Sequence, residues 1–67
     1  MTFEEIKMCI QRDLGVTERC ARKHKDNFKS RYKGEKEAIT ACSAKYDDEG
    51  RVVVVYVINS KEKQMTL

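Results

Sequence analysis

Apolar side chains recur over the first fourteen residues at Phe3, Ile6, Ile10 and Leu14, with Cys9 beside them. Spacings of three and four place them on one stripe of an α-helix. Thr2 followed by Glu5 fits a capping box at its start, in which the hydroxyl takes an orphan amide three residues on and the carboxylate reaches back to the amide of Thr2. Gly15 can adopt the left-handed conformation that ends such a helix.

A second helix is expected from Thr17, which can cap it. Glu18 falls in its first turn, and Lys29, Arg31 and Lys33 fall near its C-terminus, where the helix dipole favours positive charge. Gly34 is expected to end it. The inward stripe reads as Ala21, His24, Phe28 and either Tyr32 or the aliphatic stem of Arg31. That stripe is meagre for so long a segment, so most of this helix is expected to look outward.

From Ala38 the pattern changes to strand formers. Ala38 to Tyr46 and Arg51 to Asn59 flank Asp47, Asp48, Glu49 and Gly50, a turn sequence closed by Gly, which predicts an antiparallel hairpin. In the second strand Val52, Val54, Tyr56 and Ile58 share one face and Val53, Val55 and Val57 the other. A strand with no polar side is expected to be covered on both faces or extended by another chain. The polar tail, Ser60 to Leu67, is either a short third strand or frayed. There is no Pro, no internal repeat and no linker, so residues 1–67 are expected to form a single small α+β domain.

Composition narrows what such a domain can do. With 67 residues, 40% hydrophobic and 37% charged, the core must be thin, and self-association into a homodimer is a natural supplement. Cys9, Cys20 and Cys42 are an odd number, and Glu4 and Glu5 stand where a secretory signal would be basic and then apolar, so the cysteines are expected to be reduced thiols of a cytoplasmic protein. The run Val52 to Ile58 is far too short to span a membrane as a helix. The formal charge of +3 is unevenly distributed: Arg19, Arg22, Lys23, Lys25, Lys29, Arg31 and Lys33 face only Glu18 and Asp26 between residues 18 and 33. A local positive field of this kind marks a surface for phosphate or another polyanion.

The stretch from Cys9 to His24 resembles the helix-turn-helix family of DNA-binding proteins, and the hairpin that follows stands where winged members carry their wing. The resemblance covers residues 6–28 and rests on Leu14-Gly15-Val16-Thr17, similar to the family's turn: an apolar residue closes one helix, Gly makes the bend, an apolar residue fills the corner and Thr caps the recognition helix. It implies a corner and core of Ile10, Leu14, Val16, Ala21 and His24. It also implies duplex DNA as partner, met by Thr17, Arg19, Arg22, Lys23, Lys25, Lys29 and Arg31. Arg19 and Arg22 would read bases, and Lys23, Lys25 and Lys29 would hold the backbone. The sequence departs from the family at Gln11, where a small residue is usual, and at His24, where an apolar one is.

The sequence admits three other chemistries. Cys9, Cys20, Cys42 and His24 would make a four-ligand metal site if the fold gathered them, but the Cys-x-x-Cys spacing of small zinc modules is missing, and no metal or other cofactor is expected. A Cys and His nucleophile needs a third orienting group and an enclosed pocket, so enzymatic activity is not expected. The alternative to DNA is a host protein. A small charged chain with a two-sided apolar strand also suits a phage or mobile-element inhibitor of host defence, similar in kind to anti-CRISPR proteins, acting through its basic helix and its Val-rich strand.

Overall fold

Two threonines start the two helices. The Thr2 hydroxyl accepts from the amide of Glu5 at 3.1 Å while the Glu5 carboxylate accepts from the amide of Thr2 at 2.9 Å, completing the capping box of helix α1, Phe3–Leu14. Gly15, at φ 66°, turns the chain out of α1 and donates its amide to the carbonyl of Gln11. Two residues later the Thr17 hydroxyl accepts from the amide of Cys20 at 3.2 Å and opens helix α2, Glu18–Arg31. The computed structural model describes residues 1–67.

Helix α2 ends before the expected stop at Gly34. Tyr32 leaves the helix at ψ 122° because its ring has better contacts off the axis. It stacks on Phe28 with centroids 5.4 Å apart, meets Tyr56 edge-on at 5.7 Å, and donates its hydroxyl to the carbonyl of Glu35 at 2.8 Å. Gly34 has a different task from capping: a Cβ there would lie 2.6 Å from the Tyr32 hydroxyl oxygen, so only glycine lets the tyrosine fold back.

A single 3-10 turn, Lys36–Ala38, leads into three strands, β1 (Ile39–Tyr46), β2 (Val52–Ile58) and β3 (Lys61–Thr66). They form one antiparallel sheet in the order β1-β2-β3. The fold is thus α+β, two helices and then the expected hairpin, with the polar tail added as a third strand. The β1–β2 turn is organised by Asp47, whose carboxylate oxygen accepts from the amides of Glu49 and Arg51 at 2.9 and 2.8 Å. The β2–β3 turn consists of Asn59 and Ser60, both at positive φ, 51° and 62°, as a two-residue type I′ turn requires.

Both helices lie on one face of the sheet. Ile6 and Ile10 from α1, Ala21 and Phe28 from α2, and Ile39, Ala44, Val54 and Tyr56 from the strands form one buried cluster. Phe28, Ile6, Ile10, Ile39 and Val54 are its largest fully buried members, each stabilising the fold by about 1.5 to 3 kcal/mol relative to exposure. Helix α1 follows the outer side of β1. The Met1 amine donates to the carbonyls of Lys36 and Ile39 at 2.9 and 2.8 Å, and Asp13 accepts from the amide of Ala44 at 3.0 Å.

The second face of β2 departs from expectation. No element packs over Val53, Val55 and Val57. Their neighbours are the cross-strand residues Lys45, Ser43 and Ala41 on β1 and Thr66, Gln64 and Glu62 on β3. Val53 is only 4% exposed in that setting, and Val55 and Val57 are half-buried. Nor can β2 pair edge to edge with another chain, because the third strand makes it the centre of the sheet.

Candidate nucleic-acid interface

Helix α2 buries Ala21 and Phe28, so at 100° per residue the opposite side is centred on Arg19, with Arg22, Lys23, Asp26 and Ser30 around it. All five are exposed. The structure sorts the sequence-predicted basic residues into three groups.

Arg19 and Lys23, one turn apart, are exposed and take part in no ion pair or side-chain hydrogen bond of the fold. Arg22 is exposed but bridged to Glu18 at 2.6 Å. Lys25, Lys29 and Arg31 are committed to the fold. Lys25 has an 18% exposed side chain and pairs with Asp26 at 2.7 Å. The Lys29 ammonium sits 5.5 Å from the centre of the Phe3 ring, a cation–π contact between the two helices. Arg31 donates to the carbonyl of Thr66 on β3 at 3.0 Å. The Thr17 hydroxyl is occupied as the cap of α2.

The local charge network is held by a residue that the sequence does not mark out. Lys7 lies on the inward side of α1, 6% exposed, and its ammonium pairs with Glu4 and, at 3.3 Å, with Glu18 of α2. Glu18 therefore serves two cations, and hydrogen bonding to Lys7 first and Arg22 second holds its carboxyl below the usual range. The hydrogen bond that Lys7 donates to Glu4, ahead of the one it donates to Glu18, raises its pKa. The four-residue step from Glu18 to Arg22 was a legible helical pair. The reach from Lys7 was not, since it depends on how the helices cross.

The thiols do not converge. Cys20 Sγ lies 3.5 Å from His24 Nε2, one turn along α2, whereas Cys9 is on α1 and Cys42 on β1. Nowhere do three or more His, Cys, Asp or Glu side chains gather as metal ligands would. Burial pushes the Cys42 thiol up to about 12, which keeps it protonated and poorly nucleophilic. An open hollow of about 300 Å³ lies against α1, lined by Met1, Glu5, Met8, Cys9 and Arg12, with no residue from α2.

The tip of the β1–β2 hairpin carries Asp47, Asp48 and Glu49 against Arg51 alone, which pairs with Asp47 at 2.8 Å and Glu49 at 2.7 Å. This tip is acidic and offers a phosphate no positive contact. No helix is long and apolar enough to cross a membrane. No family model, curated protein or solved structure matches the chain.

Proposed function

We propose that this protein binds duplex DNA through the outer side of α2, with Leu14-Gly15-Val16-Thr17 acting as the turn of a helix-turn-helix unit. The observation that carries this reading is the pair Arg19 and Lys23, one turn apart in the first half of α2, exposed and without partners. The first residues of a recognition helix are those that reach base edges in the major groove. Arg19 has the bidentate donor geometry for guanine, Lys23 suits a phosphate, and Arg22 joins them when it exchanges Glu18 for the nucleic acid.

Lys29 and Arg31 act in this arrangement as supports that fix α2 on α1 and on the sheet, while Lys25 is paired within α2 to Asp26. The hairpin contributes no phosphate contact, so the interface is small. Lys23, as the phosphate contact, should contribute about 0.9 to the fall in the logarithm of affinity per log unit of salt, while Arg19, as the base contact, should set sequence preference.

The test is fluorescence anisotropy of a labelled random duplex over a salt series from about 50 to 300 mM. A salt-dependent affinity whose slope falls by about 0.9 in Lys23→Ala, and a selected preferred sequence whose advantage is lost in Arg19→Ala, support the proposal. No binding at the lowest salt, or a slope that neither variant changes, overturns it and leaves an acidic protein surface as the ligand of the same helix.

A further inference from the structure

The side of the sheet away from the helices is a three-by-three array, in which Val55 and Val57 are half-buried and Val53 is 4% exposed. Its rows, read across the strands, are Ala41-Val57-Glu62, Ser43-Val55-Gln64 and Lys45-Val53-Thr66. The centre is Val55, the middle column is entirely valine, and none of the three valines belongs to the core cluster or packs against it. Next to Val57 and Val55 on the β1 side stand the small residues Ala41 and Ser43, so that side has low relief. The two charges of the array, Lys45 and Glu62, occupy opposite corners on a diagonal through Val55. Both are exposed, and neither pairs with anything in the fold.

We infer that this face is a homodimer interface, in which a second copy of the chain packs sheet on sheet about a two-fold axis through Val55, setting Lys45 of each copy against Glu62 of the other. A two-fold contact must be self-complementary, with each residue meeting its counterpart's partner. The diagonal of opposite charges about an apolar centre has that property, whereas two like corners would repel. The geometry also fits known sheet packing. Each corner lies about 4.8 Å across and 6.8 Å along the strands from the centre. Superposing opposite corners therefore makes the strands of the two sheets cross at roughly 70°, close to the orthogonal class.

The face measures about 14 by 17 Å, smaller than the roughly 800 Å² per partner of a durable interface. The dimer is accordingly weak and transient. It leaves the helices on the outer sides of the pair, so it stands independently of what α2 binds.

Sedimentation equilibrium on the full chain from about 10 μM to 1 mM tests it, a range suited to a weak, transient contact. The expected result is a monomer–dimer equilibrium weakened about tenfold or more by Val55→Lys and several-fold by Lys45→Glu alone. It should return to near the original value in the double variant Lys45→Glu, Glu62→Lys. Should Val55→Lys prove unfolded by circular dichroism, the exposed charge swap still decides the matter. A monomer throughout the range overturns the inference, as does a dimer indifferent to the charge variants.

Discussion

The carboxylate of Asp13, at the end of α1, accepts a 3.0 Å hydrogen bond from the amide of Ala44 in the middle of β1. It satisfies an amide that β2 does not use, and it joins the first helix to a strand thirty-one residues further on. Asp13→Ala should cost about 1 to 3 kcal/mol, as expected for a charge-assisted bond whose loss strands a part-buried amide. Urea unfolding at neutral pH measures it.

The same carboxyl makes stability acid-sensitive. The Arg12 guanidinium first, and the Ala44 amide after it, hold Asp13 below the usual carboxylate range. Its contribution is therefore complete above the unfolded-state value and disappears as pH falls through the lower folded one. Unfolding midpoints between pH 5 and 2 should decline in the parent protein and decline less in Asp13→Asn. Equal slopes would rule out this role for Asp13.

Glu18 holds the Arg22 guanidinium at 2.6 Å, so under the proposed function it would compete with nucleic acid for that side chain. Glu18→Gln should raise affinity for duplex DNA at low salt several-fold, while slightly lowering the melting temperature because Lys7 loses one of its two carboxylates. Anisotropy and thermal melts on the same preparation separate the effects. A fall in affinity would contradict the competition.

Ser60 adopts φ 62° in the β2–β3 turn, a region where a side chain is strained and glycine is not. Ser60→Gly, which creates the Asn-Gly sequence favoured in such turns, should stabilise the protein by about 0.5 to 1 kcal/mol. Chemical denaturation would reveal the shift in midpoint with unchanged slope.

Phe28 is fully buried and packs against both Tyr32 and Tyr56. Phe28→Ala removes about 3 to 5 kcal/mol, much of the stability of a domain this small. Loss of cooperative melting is expected, and a melting temperature within a few degrees of the parent would refute it.

What the sequence disclosed follows from the range of the interactions involved. Thr2 with Glu5, Gly15, Thr17 and the Asp47 to Gly50 turn act within four residues, and each stands where its local chemistry places it. Gly34 does not end α2, because the helix stops where the Tyr32 ring turns in to meet Tyr56 edge-on, twenty-four residues away. The third strand was left open because Lys61 to Gln64 are polar at every position, as suits an edge strand exposed on both sides. For α2, the outward placement of Arg19, Arg22 and Lys23 was legible from helical spacing. That Lys29 and Arg31 are held by Phe3 and Thr66 was not, because those partners lie on other elements.

The central place of β2 has a consequence for handling the protein. Val52 to Val57 is the one segment of this chain with the uncharged, β-branched makeup of fibril-forming peptides. In the native state its backbone is paired on both sides, with α1 lying along the outside of β1 and charged side chains along β3. Aggregation should therefore follow the population of globally unfolded chains. Refolding from denaturant should succeed in dilute solution and yield fibrils at high concentration, and every destabilising substitution above should shorten the lag before they form.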